Sequence, residues 1–384
     1  MKKAKFFTTL FAVVLLFSGC YDSREINETA YIIALGVDRT DKNAYTYTFQ
    51  LANPLEMASG EENTEKKNPD SSVQNFVVTA PDFYIAKNQL NNLLSKNVDM
   101  SHLKLIVFSK ELENSEFLQH SQFLMHERQV RPHTNVAVST DAAENFIKSV
   151  SPTLEANTAK SYELMGLRSD NLYAPSVTIS AFLDELSLDD GAAALPLAHS
   201  AAKSNNNATE ITDFWISTDN SQIQGNDASM QGMAIFKSGE ITGYMDCDSA
   251  LIFNILSGKI KTCTVTLKNP ADKTSNLVFR LNVPKSAGYK LENKNNEYKI
   301  NITQCLDIKF IGSFLPKSFK TETELYNFAR QAITQKFTDF VYDLSRSKKA
   351  DILNIGNRID CSLESPDHWQ NIFETADFEV NIFS

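Results

Sequence analysis

The first twenty residues constrain the rest of the chain most. Lys2, Lys3 and Lys5 precede an apolar run of 12 residues, 6–17, broken only by Thr8 and Thr9. A bilayer-spanning helix needs about 20 apolar residues, so this run matches the core of an export signal and not a membrane span. Ser18 and Gly19 follow, and then Cys20. Small residues let a processing peptidase reach the backbone, and the Cys20 thiol is the expected site of diacylglycerol attachment. Phe17 departs from the leucine commonest at that place, with Leu16 one position earlier. Residues 1–19 are therefore expected to be a lipoprotein signal peptide, and the remainder a soluble body held on the outer face of a membrane. Each buried CH2 contributes about 0.8 kcal/mol, and two acyl chains anchor stably where one does not. No later stretch approaches the ~18 apolar residues of a spanning helix.

A body exported this way has to build its own cores. Hydrophobic residues make up 42% of the 384 and charged residues 22%, which suits packed globular domains. At roughly 150 residues per domain, two or three are expected. The formal net charge is -10; without residues 1–19 it becomes 34 basic against 47 acidic residues, or -13. So negative a surface repels nucleic acid, and no nucleic-acid partner is expected. Four cysteines remain, Cys247, Cys263, Cys305 and Cys361, at spacings of 16, 42 and 56 that match no zinc pattern. Buried free thiols are the expectation, with a disulfide left open.

Hydrophobic periodicity predicts the elements. Residues 31–38 form a buried apolar strand, and Tyr45, Tyr47, Phe49 and Leu51 alternate with polar residues, so 31–52 is a hairpin. Residues 55–71 are polar and predicted to be a loop. Strands at 73–79, 103–108 and 136–138 alternate with helices. The first helix has Pro81 in its first turn and runs to about Lys96; the second holds Phe117 and Leu124; Asp141 is expected to cap the third, through Phe146 and Ile147. Helices are expected near 155–165 and 177–186. Residues 192–200 read as irregular around Pro196, the Asp189-Asp190 pair as a turn, and 201–228, rich in Asn and Ser, as a polar linker. A hairpin spans 231–245 with Gly239 at its turn, then come a helix from Asp248 to Leu256 and a strand 261–267. Strands 278–283, 298–302 and 306–311 look antiparallel. The clearest element is helix 322–346, whose apolar stripe includes Phe328, Phe337 and Phe340. Thr321 and Glu324 form a capping box, and the stripe is expected to press on a sheet. A strand with Phe378, Val380 and Ile382 closes the chain. The fold class expected is α+β: three mixed α/β domains with mixed or antiparallel sheets and the long C-terminal helix packed on one of them. The boundaries expected are 20–200, the linker 201–228, a small middle domain 229–270, and 271–384.

Catalytic chemistry does not emerge. His120, His126 and His133 are close in sequence, but Pro132 interrupts the helix before His133, and His120 and His126 read as partly exposed helix histidines and not metal ligands. No HExxH, GxSxG, phosphate-loop or CxxC pattern occurs. The chain is not expected to be an enzyme, and no cofactor or metal is expected.

One pattern is specific. Cys20-Tyr-Asp22-Ser-Arg24-Glu25-Ile-Asn27, followed by an apolar strand ending Gly36-Val-Asp38 and then Asn53-Pro54, resembles the start of Ger(x)C spore germination lipoproteins, with Tyr21 in place of the more usual tryptophan. The resemblance continues through residues 101–111, Arg131, 232–237, Gly243, the long helix, Asp351 and Gly356, although Leu353-Asn-Ile355 departs from the aromatic version. It implies three α+β domains and the C subunit of a nutrient germinant receptor in the spore inner membrane, on its extracytoplasmic face. Integral-membrane A and B subunits would be its partners and diacylglycerol on Cys20 its anchor. Asp22, Arg24, Glu25 and Asn27 are the expected partner-docking residues, with ordering of the first strand as their simpler use. Direct binding of a small molecule is left open. The alternative reading is a lipid-anchored extracytoplasmic solute-binding protein, with a cleft between two lobes.

Overall fold

The computed structural model describes residues 28–52, 73–151, 157–167, 171–188, 191–200, 228–295, 297–359 and 366–383. Strand β1 (Thr29–Asp41) is buried on both faces, which is why residues 31–37 read as one apolar run. It pairs antiparallel with β2 (Ala44–Ala52), and β2 with β3 (Val73–Ala80). On its other side β1 runs parallel to β5 (Leu105–Ser109), with the short β4 (Asn97–Asp99) beside its start. Next come β6 (Asn135–Ser139) and β7 (Ala192–His199), both parallel, and then the antiparallel hairpin β8 (Ser229–Lys237) and β9 (Glu240–Met245). The mixed sheet has nine strands.

Helices cover both faces of this sheet. Helices α1 (Phe83–Leu93), α2 (Asn114–His126) and α5 (Ile179–Ser187) pack on one side against Leu35, Tyr47, Phe49, Phe108 and Phe236. Helices α3 (Ala143–Ser149) and α4 (Thr158–Leu167) cover the other, against Ile33, Leu105, Val107 and Ala137. The N-cap of α1 is Asp82, which accepts from the Ile85 N–H, so Pro81 lies just outside the helix and not in its first turn. Residues 192–199 form a central strand, not irregular chain. Pro196 is tolerated because it sits at an irregularity, the register slipping between Pro196 and Ala198.

The segment 229–270 does not form a unit of its own. Its hairpin continues the large sheet. Its helix α6 (Cys247–Leu256) is buried in a second core together with Met233 and Ile235, from the opposite face of β8 to Ala234 and Phe236. A hairpin and one ten-residue helix have too little apolar area to close a core alone, so each face of β8 serves a different neighbour.

The second core contains two three-stranded sheets. One orders β10 (Thr262–Asn269), β11 (Asp272–Asn282) and β14 (Asp307–Phe310), all antiparallel. The other orders β12 (Gly288–Lys294), β13 (Glu297–Cys305) and β15 (Asp377–Phe383), with β12 and β13 antiparallel and β13 and β15 parallel, so the strand expected at 298–302 lies in a different sheet from those at 278–283 and 306–311. Helix α7 (Glu322–Tyr342) buries Leu325, Ala329, Ile333, Phe337, Phe340 and Val341 in this core and packs on β15. Its stripe is thus covered internally, with Phe328 half-buried against Phe319. Thr321 accepts from the Glu324 N–H, but the Glu324 carboxylate turns to the Lys320 N–H, so only half of a capping box forms. A π-helical turn, Asp343–Lys348, ends the helix and leads to the short α8 (Ile355–Arg358) and then α9 (Pro366–Thr375). No helix among the described residues is long and apolar enough to cross a membrane.

Candidate functional site

Cys20, Asp22, Arg24, Glu25 and Asn27 lie outside the described residues. Where the chain enters the fold is clear. Thr29 opens β1 opposite Asn97, and Tyr31 lies opposite Asp99. Nine residue-to-residue steps lead from Cys20 to Thr29; at most about 3.5 Å each, they keep the thiol within roughly 30 Å of this edge.

The same edge collects two blocks of the resemblance, because the loops before β5 and β6 also reach it. The Ser101 N–H donates to Asp99 Oδ1 at 2.7 Å, and the Ser101 hydroxyl meets His102 Nδ1 at 3.0 Å. The His102 ring stands edge-on to Tyr31, centroids 4.6 Å apart. Gln129 accepts the Met100 N–H at 3.3 Å, and Lys87 pairs with Glu127 at 2.7 Å. Thr134 N–H returns to the Arg131 carbonyl at 3.0 Å, and Lys104 N–H to the Ile33 carbonyl at 2.9 Å. Lys160 and Lys104 beside Glu163 hold its carboxyl down to about 2. Arg128, Arg131 and His133 remain exposed. This is a polar rim with exposed basic groups on an acidic protein.

The opposite edge holds Asp38, the last residue of the Gly36-Val-Asp38 motif. Asp38 accepts from the Ala143 N–H at 2.7 Å and the Glu144 N–H at 3.0 Å, so it caps α3 from a strand 105 residues earlier. Asp141, expected as that cap, instead accepts from the Ser139 and Ser200 hydroxyls at 3.2 and 2.9 Å. The reason is geometric: the helix N-cap position is Ala142, and Asp141 is one residue too early to fold back. Burial pushes the Asp38 carboxyl up, against the pull of the two N–H groups. Gly36 is part of the same joint, since a Cβ there would meet Ile147 Cδ1 at 2.9 Å.

His120 is the clearest correction among the histidines. It is 1% exposed, not partly exposed, and sits among the rings of Tyr45, Tyr47 and Phe123. Its Nε2 has no hydrogen-bond partner among the described residues. Nearby, the Tyr45 hydroxyl donates to Glu116 at 2.8 Å, and Arg39 pairs with Glu113. Burial drops His120 from 6.5 to about 4, although Glu116 and Asp82 pull it the other way. The folded value lies below the unfolded one, so protonation favours unfolding. The stability conferred by neutral His120 is complete above pH 6.5 and is lost as pH falls from 6.5 towards 4, at about 1.4 kcal/mol per pH unit. Denaturant melts between pH 7 and 4 should show a shallower acid-side decline for His120→Gln than for the parent; parallel declines would refute the assignment.

The remaining sequence candidates are placed as follows. His126 is exposed at the end of α2, with Nδ1 2.7 Å from the Gln122 carbonyl, and His133 is exposed beyond Pro132. Cys247 and Cys263 are buried and Cys305 is half-buried; Cys361 lies outside the described residues, as do residues 55–71, 201–227 and the Asp189-Asp190 pair. Among the described residues no group of three or more His, Cys, Asp or Glu could hold a metal ion.

Two further motif residues form a latch in the second core. Asp351 accepts from the Ile355 and Gly356 N–H groups, both at 2.9 Å, and from Trp369 Nε1 at 3.2 Å. Gly232 has φ +75 and lies where a Cβ would stand 2.7 Å from the Met245 carbonyl oxygen, so both its conformation and its contact demand glycine.

Residues 22–200 match the family described as Spore germination protein N-terminal domain, and residues 231–383 match Spore germination B3/GerAC like, C-terminal. Spore germination protein KC of Bacillus subtilis (strain 168) is 28% identical over 152 residues, 37% of this chain and 37% of that protein. The aligned part is thus well under half of that relative's length. The crystal structure of the GerBC protein superposes with a TM-score of 0.50 at 14% identity, covering 91% of this chain and 95% of that one, which supports the mixed α/β fold. Because the two family matches together take in nearly all of the described body, the chain belongs to the Ger(x)C family of spore germination proteins, the family of germinant receptor C subunits.

Proposed function

We propose that the protein is a lipid-anchored C subunit of a spore nutrient germinant receptor. In this reading it assembles with integral-membrane A and B subunits on the extracytoplasmic face of the spore inner membrane and takes part in signalling germination without catalysing a reaction. The observation that carries the reading is the position of the first family match, which begins at residue 22, two residues after the lipidation-type cysteine. The short connection from Cys20 to β1 puts the Ser101–Lys104 and Arg131 rim within reach of the membrane surface and of partners embedded in it. Tethering raises the effective concentration of the body beside those partners without any new contact.

Asp22, Arg24, Glu25 and Asn27 are then the first docking residues above the lipid. The double substitution Arg24→Ala, Glu25→Ala tests this by co-purification of the A and B subunits from spore membranes. Recovery is expected to fall about tenfold or more, the loss of one desolvated charge contact, while the variant keeps its melting temperature. A folded, anchored variant that still brings down both subunits in full amount would remove the docking role.

A further inference from the structure

The outer face of the β10–β11–β14 sheet carries a charge arrangement that the fold does not account for. Arg280 on β11 stands directly between Thr264 on β10 and Lys309 on β14 in the strand register. Like charges set opposite each other across a strand pair destabilise it. Both side chains are exposed, and among the described residues neither is paired with a carboxylate, in a chain with ten more acidic than basic residues. One row further along, the groups are already committed. Thr262 Oγ1 donates to Asn282 Oδ1 at 3.2 Å, and Asn282 Nδ2 donates to Asp307 at 2.9 Å. The Thr264 hydroxyl and the Arg280 guanidinium are left without partners among the described residues.

These two groups line a cleft of about 580 Å³, whose facing wall is Leu172 and Tyr173. That volume lies within the usual range for small-molecule sites, roughly 300–1,000 Å³. The facing wall is rigid. Asn254 Nδ2 on α6 points at the carbonyls of Asn171, Leu172 and Ala174 at 3.1–3.3 Å, and the Tyr173 carbonyl accepts the Gly232 N–H at 2.7 Å. The segment is therefore clasped to both cores, and the cleft lies where it meets the second one. Burial raises the Tyr173 phenol, which stays protonated as a donor, and pushes the neighbouring Cys263 thiol up to about 12, so that thiol is no nucleophile.

We propose that this cleft binds a small organic monocarboxylate with an apolar body. The carboxylate would take the fork of Arg280 and the Thr264 hydroxyl, and relieve the Arg280–Lys309 repulsion. The apolar body would lie on Leu172 and the Tyr173 ring. Lys309 is not among the residues lining the cleft, so within it the one guanidinium, beside Leu172 and Tyr173, suits one negative charge better than a multiply charged phosphate. The inference does not depend on how the chain is anchored or which subunits it meets.

Titration calorimetry on the detergent-solubilised full-length protein provides the test, with 3-phenylpropionate, its neutral amide and inorganic phosphate as probes. The carboxylate is expected to saturate with a Kd below about 1 mM, and the amide and phosphate to bind at least about tenfold more weakly. Arg280→Gln is expected to weaken the carboxylate at least about tenfold with an equal or slightly raised melting temperature, since it removes an exposed like-charge contact. Thr264→Val gives the same direction with a smaller loss. Absence of saturable carboxylate binding, equal binding of the amide or of phosphate, or full binding by a folded Arg280→Gln protein would each overturn the proposal.

Discussion

Replacing Cys20 by alanine moves the protein out of the membrane fraction. In the proposed function, membrane residence rests on the thiol. At about 0.8 kcal/mol per buried CH2, two acyl chains exceed by many kcal/mol what peripheral contacts supply. The leader itself has 12 apolar residues and some membrane affinity of its own. The informative variant therefore joins Cys20→Ala to a leader that is removed without thiol modification. Its membrane-bound share is expected to fall at least a hundredfold, because the tether's contribution to local concentration disappears. Germination through this receptor should fall with it, even though the body folds as before. Fractionation of sporulating cells followed by immunoblotting reads the first effect, and germination kinetics the second. Retention of the alanine variant in the membrane at the parental amount would mean that protein contacts, not lipid, hold the chain.

Gly356→Ala should be a strongly destabilising single-methyl change. A Cβ at Gly356 would stand 2.6 Å from Trp369 Nε1 and 2.7 Å from its Cε2. Trp369 is buried and its ring lies tilted against Phe373, centroids 5.9 Å apart, so it has little freedom to retreat. If it moves, the Nε1 donation to Asp351 is lost, and a carboxylate that also holds the Ile355 and Gly356 N–H groups is disturbed. Overpacking of this kind costs about 1–3 kcal/mol, and a lost hydrogen bond to a charged group about 1.5–3. A drop of roughly 3–5 kcal/mol is expected, or on the order of 10 °C in Tm. The double variant Gly356→Ala, Trp369→Phe separates clash from backbone strain. The smaller ring admits the methyl group, so the two effects should be clearly less than additive. Additive losses would contradict the packing argument.

Elements that depend on local pattern could be read in the sequence, and those that depend on distant partners could not. The run 31–37 and the alternation of Phe378, Val380 and Ile382 each state their burial directly, and the structure places them in the cores. β7 was hidden by Pro196, since the slip that accommodates it is set by β8, whose strand begins 33 residues later. β12 was hidden for the opposite reason: Lys290, Glu292 and Lys294 lie along a largely solvated strand with little apolar signal. The cap of α3 was assigned to Asp141, the nearest acid, because nothing local says that Asp38 arrives from another strand. Four of the family-like positions, Gly36, Asp38, Asp351 and Gly356, prove to be packing and capping joints, so what the motif records there is architecture. The cleft beside Arg280 could not be found from sequence, since Arg280 and Lys309 become neighbours only through the β11–β14 register.

The central claim is covalent, and mass spectrometry of the protein extracted from spore membranes tests it most directly. The account predicts that the most N-terminal peptide begins at Cys20 and carries a thioether-linked diacylglycerol. A peptide with an unmodified thiol, or one in which residues 1–19 are still attached, would contradict it.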